Sequence, residues 1–331
     1  MTQPTDEFTL IDHYFKDLTS QSGVVVGIGD DGAVIAPDSG SQIVVATDTL
    51  VESVHFPAFA EAQQVATRAL CVNLSDMAAM GAEPKWFTLA LTLPPEKVSH
   101  AWLQGFSEGL AKIAAQYKIA LVGGDTTSGP LTIGITLLGE LPKGQSLCRS
   151  GAQAGDAIYV SGTLGDGAAA LHSITAGREA LSEKNKRLLE HFYCPQPQLE
   201  LGLGLGAFAS ACIDISDGLV ADLGHICKAS QVSAEIDSRQ LPIHPELQQR
   251  FKQQSLPWAL TGGDDYQLCF TIAAPKHRAF KQWVAKQKLA VTEIGATVPL
   301  NNHQTSVRVD GQTVSLTAGG YNHFHTKSSI R

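Results

Sequence analysis

Short apolar runs of strand length recur along the chain, broken by Gly-, Ser- and Thr-rich junctions that carry aspartate. Six junctions stand out: Gly27-Ile-Gly-Asp-Asp-Gly32, Thr47-Asp-Thr49, Asn73-Leu-Ser-Asp76, Gly123-Gly-Asp-Thr-Thr127, Asp214-Ile-Ser-Asp-Gly218 and Thr261-Gly-Gly-Asp-Asp265. Several are read as closing an apolar run, as Val44-Val45-Ala46 does before Asp48 and Ile213 before Asp214. Helical periodicity lies between the runs: Phe8, Ile11, Phe15 and Leu18 at the start, and residues 61–80, stopped by Gly81 and Pro84. Further helices are expected over 96–117, 199–209, 218–229 and 275–287, the third and a helix near Asp166 taking Asp217 and Asp166 as N-caps. Strands are expected over 24–28, 33–36, 43–47, 86–93, 119–122, 131–138, 157–160, 213–215 and 267–272, with a late hairpin turn at Asp310-Gly311. Such a chain folds as mixed α+β or α/β, and no fixed-period repeat offers a solenoid instead.

At 331 residues the length suggests about two domains. The breaker-rich stretch 142–155 marks the join, dividing the chain into 1–148 and 149–331. Lys and Arg number 24 against 32 Asp and Glu, a net charge of −8 that argues against a nucleic-acid binder, which needs a basic face. No apolar stretch approaches the roughly 18–20 residues of a spanning helix, so no membrane is expected. The first ten residues hold two acids and no base, unlike a secretory signal. The six cysteines are scattered without Cys-x-x-Cys spacing, which suits free thiols in a cytoplasmic protein.

Each aspartate junction alone reads as an ordinary turn or cap. Together they suit a hard cation such as Mg²⁺, which takes one or two carboxylates plus substrate phosphates. Asp76 argues this on its own. It falls near the C-terminus of an apolar helix, where a negative charge opposes the macrodipole by roughly 0.3–1 kcal/mol, and a bound cation resolves the conflict. Gly27-x-Gly29-x-x-Gly32 matches the dinucleotide fingerprint formally, but strand and turn residues follow where that motif needs a helix. Gly139-Glu-Leu-Pro-Lys-Gly144 is followed by Gln, so it is no phosphate loop of the Walker type. His55 stands out by its place seven residues after Asp48, and Arg149 by its place at the join, where a guanidinium could reach phosphate.

Taken in order, these segments resemble the thiamine-monophosphate kinase family, within the superfamily that includes aminoimidazole ribonucleotide synthetase. The match adds Thr47-Asp-Thr-Leu-Val51 with His55-Phe56, Asn73 through Ala82, Arg149-Ser-Gly151, Asp214 through Leu219, Thr261 through Tyr266 and Gly320-Tyr-Asn-His-Phe324, and so spans nearly the whole chain. The resemblance implies a two-domain aminoimidazole ribonucleotide synthetase-like fold: an N-terminal domain forming a dimeric β-barrel, and a C-terminal α/β domain closing over ATP. It implies several Mg²⁺ ions held by Asp30, Asp31, Thr47, Asp48, Asp76, Asp125, Asp214 and Asp217. It places Gly124, Asp125, Arg149 and Ser216 on ATP, and His55, Asp264 and Tyr321 on thiamine monophosphate. The chain departs from the family at Asp264, where the family usually has Glu.

The implied activity is ATP-dependent phosphorylation of thiamine monophosphate to thiamine diphosphate by a homodimer. No general base is expected, because phosphoryl transfer needs positioning and charge neutralisation and the acceptor phosphate is already anionic near neutral pH. Other readings stay open: a synthetase of the aminoimidazole ribonucleotide or selenophosphate type, or a divalent-metal-binding module without catalysis. A selenophosphate synthetase would carry a reactive Cys near its start, whereas the first here is Cys71.

Overall fold

The computed structural model describes residues 7–19, 23–176, 185–300 and 304–314. These form two compact units. One holds the residues up to Met77 together with Ala82–Gly144; the other holds Ala78–Gly81 and the residues from Gln145 onward.

The first unit begins with α1 (Glu7–Tyr14), followed by a two-stranded antiparallel sheet of β1 (Val24–Val26) and β2 (Val34–Ile35). Then come β3 (Ser41–Val51), α2 (Ala62–Met80), β4 (Glu83–Leu93), α3 (His100–Tyr117), β5 (Ala120–Ser128) and β6 (Thr132–Pro142). The four long strands make one sheet in the order β3-β6-β4-β5, parallel only between β4 and β5. One face is apolar and buried: Leu50, Ile133, Ile135, Leu137, Phe87, Leu89 and Leu91 alternate inward at the two-residue period of strands. The other carries Val45, Thr47, Thr49, Thr88, Ala90, Thr136 and Asp125, and Val45 is 59% exposed. At one end of that face Val24 and Ile35 of the small sheet, with Leu138, pack on Trp86, Ala120 and Val122.

Three expectations change here. Thr47-Asp-Thr49 does not close a strand but lies inside β3, which runs on to Val51. Gly123 through Ser128 is not a turn either; it continues β5, paired in parallel with Thr88 through Leu93. The helix expected over 96–117 starts at His100, because Ser99 caps it by accepting the Trp102 N–H at 3.3 Å. Among the described residues no sheet closes into a barrel; β3 and β5 are free edges.

The second unit contains β7 (Ala157–Ser161), α4 (Asp166–Thr175), α5 (Lys186–Tyr193), α6 (Leu199–Leu205), β8 (Ala209–Ile215), α7 (Leu219–Ser230), β9 (Ser233–Ile236), α8 (Pro245–Thr261), β10 (Gln267–Ile272), α9 (His277–Gln287), β11 (Val291–Val298), β12 (Val307–Val309) and β13 (Gln312–Val314). Its seven strands run β13-β12-β9-β11-β7-β10-β8, parallel only between β12 and β9. Every residue of β10 is buried, which is why Gln267–Ile272 reads as a continuous strand rather than an alternating one. Its core joins Ile158, Val160, Ile213, Ile215, Leu219, Leu223, Ile226 and Cys269. The helix expected over 199–209 ends at Leu205, since Ala209 already begins β8. Asp166 and Asp217 do not cap their helices: the N-caps are Gly165 and Gly218, whose N–H groups bond to the carboxyls of Asp265 and of Asp222 in the first turn of α7.

Candidate active site

In the first unit the register of the sheet decides where each side chain points. Asp48 pairs with Ile135, which pairs with Leu89 and through it Gly124; Asp125 shares its row with Ala90, Gly134 and Thr49. Paired residues share a face. Asp48 therefore lies on the buried face, and Asp125 lies with Thr47 and Thr49 on the open one. The Thr47 and Thr136 hydroxyls meet across β3 and β6 at 2.9 Å on that face. Three strand spacings of about 4.8 Å separate the two edges, so the first unit alone does not bring Asp48 and Asp125 together.

It does bring Asp48 to α2. The Asp48 N–H, on the unpaired edge of β3, donates to Asn73 Oδ1 at 3.2 Å, and Asn73 in turn donates to the Ala69 carbonyl. Asn73 is fully buried, and Asp76 follows three residues later on the same side of the helix. Burial pushes the Asp48 carboxyl above the usual carboxylate range, so this half-buried acid gains from any cation placed beside it. Asp30 and Asp31 are exposed in the loop joining β1 and β2, where the Asp31 N–H donates to Asp30 Oδ1 at 2.9 Å.

Gly124 has a steric reason to be glycine: a Cβ there would stand 1.9 Å from the Leu89 carbonyl oxygen of β4. His55 sits in a tight turn after β3. The Val51 N–H donates to its Nδ1 at 2.9 Å, while Arg68 Nε donates to its backbone carbonyl at 3.1 Å. An Nδ1 that accepts carries no proton, so the neutral ring presents Nε2–H as a donor.

In the second unit three segments interlock: 162–167, 214–218 and 261–266. The Asp264 N–H donates to the Ser216 carbonyl at 2.9 Å and the Tyr266 N–H to the Ile215 carbonyl at 2.8 Å. Contact is too close for side chains. A Cβ on Gly263 would lie 2.5 Å from the Ser216 carbonyl oxygen, and one on Gly167 would lie 2.4 Å from that of Gly263. Asp264 and Tyr266 both hold left-handed φ, +66° and +50°, and the Tyr266 hydroxyl donates to Asp264 Oδ1 at 2.9 Å. The segment expected to meet substrate is therefore strained and internally braced.

Two buried acids that sequence reasoning left without a role do the bracing. Asp265 accepts the Gly165 N–H at 2.7 Å and the Gly167 N–H at 3.0 Å, tying 261–266 to the start of α4. Asp222 accepts the N–H groups of Ser216, Asp217 and Gly218 on one oxygen, at 3.1, 3.0 and 3.0 Å. Burial pushes each carboxyl up to about 8, Asp214 and Asp217 adding to the rise at Asp222. The signal for Asp222 was there to read: an acid four residues after Gly218, set between the apolar pairs Leu219/Val220 and Leu223/Ile226. Beside them, burial raises the Asp166 carboxyl but hydrogen bonds from Arg187 and Thr163 outweigh it and hold the group below its ordinary range. Asp214 is buried, Ser216, Asp217 and Asp264 half-buried, and Arg149 exposed. Tyr321 lies outside the described residues.

Among the described residues no three His, Cys, Asp or Glu side chains gather into a ready-made metal cage. The expected ligands are nonetheless all carboxylate and hydroxyl oxygens, with one desolvated acid at Asp48. That donor chemistry fits a hard cation that keeps waters and takes phosphate oxygens, more than a soft transition metal.

Residues 29–141 match the family described as AIR synthase related protein, N-terminal domain, and residues 153–308 match its C-terminal domain. The chain is 42% identical to thiamine-monophosphate kinase of Escherichia coli (strain K12), over 97% of this chain and 98% of the relative. The solved thiamine-monophosphate kinase of Stenotrophomonas maltophilia K279a is 43% identical over 89% of this chain and 93% of its own, with a TM-score of 0.82. AaThiL, solved as a complex with AMPPCP and TMP, is 34% identical over 96% of this chain and 97% of its own, with a TM-score of 0.77. With the aspartate junctions in strand, helix and turn positions and the match running through both units, the chain belongs to the thiamine-monophosphate kinase family of AIR synthase related proteins.

Proposed function

We propose that this protein phosphorylates thiamine monophosphate with ATP, releasing thiamine diphosphate and ADP. The observation that carries the reading is the likeness, over 96% of the chain, to AaThiL solved with AMPPCP and TMP. An oxygen of the acceptor phosphate bonds to the γ-phosphorus, the bond from that phosphorus to the bridging oxygen of ADP breaks, and ADP leaves with the electron pair. The acceptor's second pKa is about 6, so no protein base is needed at pH 7.5. His55 suits that economy: an Nδ1 that accepts the Val51 N–H leaves Nε2 as the ring's donor, the polarity an anionic substrate calls for.

Asp30, Asp31, Thr47, Asp48, Asp76, Asp125, Asp214 and Asp217 would hold Mg²⁺, which when bound neutralises phosphate charge during transfer. Gly124, Asp125, Arg149 and Ser216 would face ATP; His55, Asp264 and Tyr321 would face thiamine monophosphate. In this reading 1–148 supplies the metal and dimerisation functions and 149–331 closes over nucleotide and substrate. The open face of the four-stranded sheet, with Ile43 38% and Val45 59% exposed, supports pairing with a second copy to complete a barrel. No described helix is long and apolar enough to cross a membrane, and a cytoplasmic site of action accords with the substrates.

Mass spectrometry of a reaction with ATP and thiamine monophosphate should show thiamine diphosphate and ADP rising together. Equal or faster product from unphosphorylated thiamine would overturn the reading. Sedimentation of wild type and Val45→Lys tests the dimer, which the substitution should dissociate.

A further inference from the structure

The turn over 214–218 carries three of the residues assigned to metal and nucleotide, and a fourth residue outside it gathers its backbone. Three successive N–H groups, those of Ser216, Asp217 and Gly218, point inward and converge on one oxygen of Asp222, itself only 3% exposed. The outward side of the same turn is tied by the Asp264 N–H to the Ser216 carbonyl. Gly218, at φ +121°, sits where a Cβ would stand 2.8 Å from the Thr261 carbonyl carbon. Without the Asp222 oxygen, three buried or half-buried donors would lack a partner, and the turn would have to rotate to find water. Rotating these peptides would swing Ser216 and Asp217 away from their present directions while leaving the β8 strand in place.

We propose that Asp222 is a positioning residue for nucleotide and metal: its single acceptor oxygen fixes the 214–218 turn so that Asp214, Ser216 and Asp217 are presented together. The proposal rests on the phosphoryl-transfer reading for its ligand, but its structural half does not. An oxygen in that place is what matters, so Asp222→Asn, which keeps an amide oxygen there, should preserve the turn, and Asp222→Ala should not.

The test compares the two variants with wild type. Amide hydrogen exchange of the 214–219 segment, in ligand-free protein, should speed up at least about tenfold in Asp222→Ala and stay within about threefold of wild type in Asp222→Asn. Calorimetric affinity for ATP with Mg²⁺ should fall about 10–100-fold in Asp222→Ala, as for other residues that orient metal ligands, with KM for thiamine monophosphate within about twofold. Asp222→Asn should recover most of that affinity. Should the alanine variant not fold, Asp222→Ser and Asp222→Glu, which displace the acceptor in opposite senses, take its place under the same criteria. Protected amides with unchanged Mg²⁺–ATP affinity in a folded disruptive variant would overturn the proposal. So would an asparagine variant that keeps its amides protected but loses tenfold in affinity, since charge and not position would then be the cause. A wild type that binds ATP with Mg²⁺ but makes no thiamine diphosphate would overturn the functional reading and leave this one standing.

Discussion

The two units hold their aspartates by different means. In the four-stranded sheet Asp48 and Asp125 sit inside strands, and the pairing register alone sends one to the buried face and the other to the open one. In the second unit Asp214, Asp217 and Asp264 sit in turns, where no register exists, and buried acids take over the work: Asp222 grips one turn and Asp265 another. A strand distributes positional control over many weak backbone bonds; a turn concentrates it in one or two side chains. A change that disturbs the strand pairing should therefore cost the first unit its fold, and a change to a bracing acid should cost the second unit its geometry in a folded protein.

The sharpest way to break the comparison is Gly124→Ala. The added methyl would collide with the Leu89 carbonyl oxygen at 1.9 Å, forcing β5 off β4. We expect a loss of about 3 kcal/mol or more, or no soluble protein, read by urea unfolding; wild-type stability would mean that the strands do not press together as described. Next in size is Asp48→Asn. Turnover should fall on the order of 10²-fold, as when one transition-state charge partner is removed. Stability in metal-free buffer at pH 8 should hold or rise, because a carboxyl whose pKa burial has raised is costly to keep ionised. Thermal melts and steady-state rates on one preparation decide both parts.

His55→Ala should be milder. A donor contact made equally to bound substrate and transition state affects KM and spares kcat, so KM for thiamine monophosphate should rise while kcat falls by less than about tenfold. A kcat loss of about 10²-fold or more at unchanged KM would make His55 a general base. The smallest effect is a change of slope. Asp265 titrates near 8 in the folded protein against an ordinary 3.8. A raised acid pKa contributes stability that is fully present below about pH 4 and is lost as pH rises through about 8. Asp265→Asn lacks this titration but leaves one of the Gly165 and Gly167 N–H groups without its acceptor, so it should be less stable at pH 5, with the gap narrowing toward pH 8. Melting temperatures across that range check the sign.

Much of this was legible in the residues. The helix ending at Met80 followed from its apolar spacing and from Gly81, and β10 followed from its Leu268-Cys-Phe-Thr-Ile272 run of strand formers. β5 was misread because Gly-Gly-Asp-Thr-Thr has turn composition; only the close approach of β4 explains glycine in mid-strand. The helix α8 escaped notice because Pro257 lies inside it and the run Gln248-Gln-Arg-Phe-Lys-Gln-Gln254 is mostly polar. The candidate aspartates could be named in advance, whereas the bracing role of Asp265 could not. Its partner Gly165 is 100 residues away, a pairing that belongs to the fold and leaves no local pattern.

The convergence of three N–H groups on Asp222 also bears on what the loop can accept. Successive backbone N–H groups make an anion nest, the device by which phosphate-binding loops attract nucleotides directly. Here the nest is already filled by the chain's own carboxylate. The loop therefore has no N–H nest left to offer, and on the phosphoryl-transfer reading a triphosphate arriving without a counter-ion would meet Asp214 and Asp217 where other nucleotide sites offer donors. On that reading, the turn would need a divalent ion to meet a nucleotide, a demand set by backbone donors that are already taken.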